Sequence, residues 1–154
     1  MSFALHPPLL CIDHGIKRLG VAVSDRAWLT AREVAVIKRT TREDDFRKLR
    51  ALYEQHKAAA VIIGIPSHEF EGTGEHTQAD TVRLWVSRFV EATGYPVMLW
   101  DEQLSSHDAK ALATRLRRKT TDPIDDLAAR VILQSYLDAL RDGLAPTPPL
   151  PIQD

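Results

Sequence analysis

Leu9-Leu10-Cys11-Ile12-Asp13-His14-Gly15, followed closely by Leu19-Gly20-Val21-Ala22-Val23-Ser24-Asp25, is the stretch on which the fold turns. Each half is a short apolar run that ends in polar residues, and a Gly-containing tight turn separates them, so the pair predicts two strands joined as a hairpin. Val34-Ala35-Val36-Ile37 predicts a third strand at ordinary hairpin distance, and the opening third therefore reads as an antiparallel meander. The pattern then changes period. Phe46, Leu49, Leu52 and Tyr53 recur at helical spacing behind a candidate N-cap at Thr41 or Thr40. Ala60-Val61-Ile62-Ile63-Gly64 is apolar on both pleat faces, as a central strand covered on both sides must be, and Pro66 stops it. Val82, Trp85, Val86, Phe89 and Val90 form one face of a second helix ending near Gly94; Pro96 to Trp100 is the fifth strand; Leu104 to Arg118 and Pro123 to Leu140 are two further helices. Strands joined by helices must run parallel, whereas the opening hairpins cannot, so the order predicts an α/β domain with a mixed five-stranded sheet, an antiparallel meander followed by parallel strands, with helices on both faces.

A chain of 154 residues, 44% apolar and 27% charged, can bury one substantial core, so a single domain over residues 1–142 is expected. Residues 143–154 hold four of the nine prolines without periodicity and read as an extended or disordered tail. Twenty Lys plus Arg against 21 Asp plus Glu exclude a global basic field, so any nucleic-acid binding has to be local. The single cysteine, Cys11, lies inside an apolar run and reads as a buried thiol. No signal peptide or membrane span is expected, and the cytoplasm fits this composition.

Three acids stand where strands or helices end: Asp13 closes the first strand, Glu102 follows the fifth, and Asp125 falls in the first turn of the last helix. Strand ends cluster in α/β sheets, and carboxylates brought together repel unless a divalent cation joins them. Oxygen-only ligation selects a hard ion, magnesium or manganese, and two such ions about 4 Å apart suit phosphodiester cleavage. Each acid also has a plain structural explanation. Asp122-Pro123-Ile124-Asp125 reads as a helix-capping arrangement with Asp122 as N-cap and Pro123 at the first helical position. Asp13 could be a turn-former and Glu102 a surface acid. Ser105 with Asp108 reads as capping rather than as a nucleophile, since no His and acid pair can be set beside it. The segment from Lys110 to Lys119 has five basic residues and no acid, with Arg115, Arg117, Arg118 and Lys119 gathered just before Asp125, a local patch suited to phosphates.

Four strings occur in order: Ile12-Asp13-His14-Gly15-Ile16-Lys17-Arg18-Leu19-Gly20-Val21-Ala22-Val23-Ser24-Asp25; Ile63-Gly64-Ile65-Pro66 with Gly72-Thr73; Asp101-Glu102-Gln103-Leu104-Ser105-Ser106; and Ile124-Asp125-Asp126-Leu127-Ala128-Ala129. Together they resemble the YqgF (RuvX) family of Holliday-junction resolvases and pre-16S rRNA 5′-end processing nucleases, over about Leu9 to Leu140. The resemblance implies a ribonuclease H-like fold, with Asp13, Glu102 and Asp125 as catalytic and metal-holding positions for Mg2+ or Mn2+. It also implies branched DNA or precursor rRNA as partner. Arg18, with Lys17 beside it, matches the family's basic position in the first hairpin, where a phosphate could be met. The sequence departs from the pattern at Gln103, which replaces an arginine and cannot offer a fixed charge. It departs also at His14, which could act as a proton carrier near neutral pH. A junction resolvase requires a two-fold homodimer; a processing nuclease does not. Two other readings stay open, an actin-like phosphate-binding kinase, disfavoured by length, and a nucleic-acid-binding factor with weak or lost catalysis.

Overall fold

The computed structural model describes residues 5–66, 78–102, 111–118 and 123–150. Five strands, β1 (Leu9–His14), β2 (Arg18–Ser24), β3 (Ala31–Lys38), β4 (Ala60–Pro66) and β5 (Val97–Glu102), form one sheet in the order β3-β2-β1-β4-β5. β1 runs antiparallel to β2, and β2 to β3, while β1, β4 and β5 are parallel. The expected mixed sheet is therefore present, and the strands run a little beyond their apolar centres.

Pleat alternation divides the core in two. Leu10, Ile12, Leu19, Val21, Val61 and Ile63 face helices α1 (Arg42–Gln55) and α2 (Gln78–Thr93), where they meet Phe46, Leu49, Trp85 and Phe89. Leu9, Cys11, Ala22, Ala60 and Ile62 face the last helix, α3 (Asp125–Arg141), meeting Ala129, Ile132, Leu133 and Tyr136. Cys11 is a buried free thiol, as its apolar neighbours suggest. Truncating a fully buried leucine such as Leu49 or Leu133 to alanine would cost roughly 2–5 kcal/mol in such layers.

Helix ends follow local chemistry in two places and depart from it in a third. Thr41 caps α1, its hydroxyl accepting from the Asp44 N–H at 3.1 Å. α2 is followed by Gly94 at φ +71°, a left-handed conformation that glycine takes without penalty, and its N–H reaches the Val90 carbonyl. The start of α3 corrects the capping expected over Asp122 to Asp125. Asp122 lies outside the described residues, Pro123 precedes the helix, and Ile124 holds the N-cap position with no side-chain cap bond. Ile124 packs instead against Leu112, Ala113, Leu127 and Ala128, so tertiary packing sets this boundary. Of the helix expected over Leu104 to Arg118, residues 111–115 are helical. They close through a left-handed Arg117 (φ 59°), with bonds from the Arg117 N–H to Thr114 and from the Arg118 N–H to Ala113. Residues 143–150 form no regular element, yet they are not a free tail: the Tyr136 hydroxyl donates to the Pro146 carbonyl at 2.6 Å and Pro148 is buried.

Candidate active site

Asp13 sits next to last in β1, directly opposite Gly20 of β2. Directly opposed residues share a sheet face, so Asp13 belongs to the face that carries α3. At Gly20 the head of α3 comes directly onto the sheet. A Cβ built there would lie 1.8 Å from the Asp125 carbonyl oxygen and 2.9 Å from the Asp126 nitrogen. Only glycine admits the helix start at that distance. The register of one hairpin and the absence of one side chain thus bring Asp13 and the first turn of α3 together, although more than a hundred residues separate them in sequence.

The Asp125 carboxylate reaches back over the hairpin. Its Oδ2 accepts from Arg18 Nε at 3.0 Å, and its Oδ1 lies 3.6 Å from the point where a Gly15 Cβ would stand. The Arg18 side chain is half exposed while that of Asp125 is mostly covered. Arg18, expected to face a phosphate, therefore pairs with Asp125, one of the three expected acids. Glu102 ends β5 opposite Pro66, at the same edge of the sheet as the end of β1 and two strands away, roughly 10 Å in backbone spacing. Met98 and Trp100, its neighbours in strand alternation, pack in the α3 layer. The Glu102 side chain is not among the described atoms. Among the described residues no three His, Cys, Asp or Glu side chains form a group able to hold a metal ion.

His14 is not a proton carrier here. Alternation turns it to the opposite face from Asp13, where it is buried with its ring 5.0 Å from that of Trp85. Burial, with the nearby Arg39 charge, pushes its pKa down to about 4, so the ring is neutral at physiological pH.

The basic residues before Asp125 divide by role. Arg115 and Arg117 are exposed. Arg118 instead forks onto the buried Asp126 carboxylate, with Nη1 3.0 Å from Oδ1 and the second nitrogen 3.2 Å from Oδ2, and also reaches the Pro123 carbonyl. Asp126 thus has its own partner and leaves Asp125 as the acid facing the hairpin. Lys119, Gln103, Ser105, Ser106, Asp108, Lys110, Gly72 and Thr73 lie outside the described residues.

Two further acids escaped the reading of the sequence, one at the far end of β2 from Asp13 and one next to the turn that follows Asp13. Asp25 closes the β2–β3 loop, its Oδ1 accepting from the Leu29 and Thr30 N–H groups at 2.7 and 3.1 Å. Asp45 is 1% exposed and faces Arg39, whose Nη1 donates to the Gly15 carbonyl at 2.9 Å. This ties the turn after Asp13 to the start of α1. The signal for Asp45 was weak, because an acid in a first helical turn ordinarily reads as a surface group favouring the helix dipole.

Sheet order, strand directions and helices on both faces define a ribonuclease H-like domain. Among solved structures, Thermus thermophilus RuvC in complex with a Holliday junction substrate is similar, with a TM-score of 0.58 and 17% identity over 90% of this chain and 98% of that one. The fowlpox virus resolvase in complex with Holliday junction DNA gives 0.53 and 14%, over 86% and 98%. A family profile described as "RuvX: Holliday junction resolvase" matches residues 8–139. A Thermoanaerobacter pseudethanolicus protein named "Putative pre-16S rRNA nuclease" is 33% identical over 140 residues, 87% of this chain and 98% of the relative. A Geobacillus kaustophilus protein of the same name is 36% identical over 137 residues, 86% and 98%. The chain belongs to the RuvX family, a family of nucleases.

Proposed function

We propose that this protein hydrolyses phosphodiester bonds in structured nucleic acid, a four-way DNA junction or the 5′ region of precursor 16S rRNA, with Asp13, Glu102 and Asp125 as its catalytic acids. The observation that supports the reading is that Gly20 lies opposite Asp13 in the hairpin and directly against the Asp125 backbone at the head of α3. The donor set is carboxylate oxygen throughout, which fits magnesium or manganese and not a soft metal. Such an ion, when bound, lowers the pKa of a water and neutralises charge on the phosphate. Asp13, Glu102 and Asp125 would hold one such ion or two. Arg18 serves this arrangement as a counter-charge to Asp125 that can turn to a phosphate when a strand arrives. Arg115, Arg117 and Lys119 supply sequence-independent contacts to the backbone. A four-way junction presents two symmetric strands, so junction cutting entails a two-fold homodimer, whereas 5′-end trimming does not.

The test is a cleavage panel of four-way junction, single strands and precursor rRNA with magnesium or manganese. Cutting is expected with at least one substrate, and Asp13→Asn should abolish it while binding persists. Binding without cutting under any divalent ion would turn the reading into that of a nucleic-acid-binding factor. Sedimentation of the protein with and without junction decides the dimer.

A further inference from the structure

The chain carries two Lys-Arg pairs, Lys17-Arg18 and Lys38-Arg39, and the β2–β3 register sets them side by side. Arg18 and Lys38 are direct cross-strand partners, while the Arg39 N–H donates to the Lys17 carbonyl at 2.9 Å. Like charges directly opposite one another destabilise a sheet. Asp125 relieves Arg18 and the buried Asp45 relieves Arg39, but among the described residues Lys17 and Lys38 have no carboxylate partner. The four basic side chains line a cleft of roughly 830 Å³ with no acid among its described lining residues. Val36 and Pro123 also line it, which sets it against the start of α3 and hence beside Asp125. Ile16, 84% exposed at the hairpin tip, forms an apolar rim. The geometry is fixed from behind, since Arg39 grips the Gly15 carbonyl while facing Asp45.

We propose that this cleft seats a backbone phosphate of the bound strand, flanking the one at the carboxylates, with Lys38 and Lys17 as its principal contacts and Ile16 against the neighbouring sugar or base. The inference rests on the nuclease reading only in taking the strand to pass Asp13. An exposed, unpaired lysine opposite an arginine is a costly arrangement for an empty surface and a favourable one for an anion. Continuity with Asp125 through Arg18 makes a polymer, rather than a free anion, the expected source.

The experiment uses the full chain with Asp13→Asn, so that binding is read without cutting. Affinity for a labelled single-stranded RNA and for a four-way junction is measured across salt concentrations. Lys38→Ala should weaken binding on the order of three- to tenfold and lower the slope of log K against log salt on the single strand by about 0.7, the change expected for one lost phosphate contact. Lys38→Arg should restore both quantities, and Lys48→Ala, a lysine paired with Asp44 on α1, should change neither. Unaltered affinity and slope in Lys38→Ala would overturn the proposal, and so would failure of the Asp13→Asn protein to bind either nucleic acid. Inorganic phosphate should compete only as other salts do at equal ionic strength; saturable phosphate binding that needs Lys38, with strand binding indifferent to it, would overturn the polymer source. A wild-type protein that cuts nothing yet shows the Lys38 dependence would sink the nuclease reading and leave the cleft standing.

Discussion

Asp125 and Asp126 are adjacent acids at the head of one helix, and their partners separate their roles. Arg118 closes a fork on Asp126 in a mostly buried setting, a pair in which loss of one member leaves the other charge without compensation. Arg118→Ala should therefore lower stability by about 2 kcal/mol, less than for a fully buried pair because the arginine retains some solvent contact. Arg115→Ala and Arg117→Ala, at exposed positions, should leave stability within about 0.5 kcal/mol. Urea denaturation of the three variants checks this, and equal losses in all three would contradict the division of roles. Salt-dependent strand affinity should show the reverse order, with Arg115 and Arg117 mattering more than Arg118.

Elements were more legible than the contacts between them. The apolar runs gave all five strands and the directions that follow from their connections, because burial on a sheet face imposes alternation or continuous apolarity on the chain itself. Asp13, Glu102 and Asp125 could be placed at element ends for the same reason. The start of α3 was not legible, since Ile124 packing against Leu112 and Ala113 overrides the capping chemistry of its neighbours. Nor was the cleft between the Lys-Arg pairs, which depends on cross-strand register, and the β2–β3 register shifts at Val21/Ala22. The opposite facing of His14 and Asp13 is a plain result of alternation that motif similarity had obscured. One glycine couples these elements. Gly20→Ala would put a methyl group within 1.8 Å of the Asp125 carbonyl, and backbone cannot step aside as a side-chain end can. The expected outcome is destabilisation of roughly 1–3 kcal/mol, with the head of α3 pushed off the sheet and cleavage lost well beyond the loss of folded protein. Urea titration paired with cleavage rate on the folded fraction measures both; a variant that cuts normally would show that Asp125 needs no such seat.

The two layers of the molecule are built alike enough to share a response to alkali. All three tyrosines of the chain lie in them. Tyr53 stacks on Tyr95 at 3.7 Å between centroids in the α1/α2 layer, and Tyr136 is fully buried in the α3 layer, edge-on to Trp100. Burial raises the phenols of Tyr53 and Tyr136 to about 12, and burial together with the Glu54 carboxylate raises that of Tyr95. A phenol harder to ionise when folded binds its proton more tightly in the native state. Its stabilising contribution is complete below the ordinary value near 10 and drains away as pH climbs from 10 to 12. For Tyr53 and Tyr136 the loss at the upper end is on the order of 2 kcal/mol each. Phenolate absorbance should therefore rise later in the native protein than in urea. Tyr136→Phe should blunt the alkaline decline in stability even while it removes the hydroxyl bond to Pro146, which costs about 1 kcal/mol at neutral pH and loosens residues 143–150 from α3. Tyr53→Phe should blunt the decline without loosening that segment, because it acts from the other face of the sheet. Native tyrosines that ionise together near pH 10 would mean that neither layer excludes water as the packing around Tyr53 and Tyr136 requires.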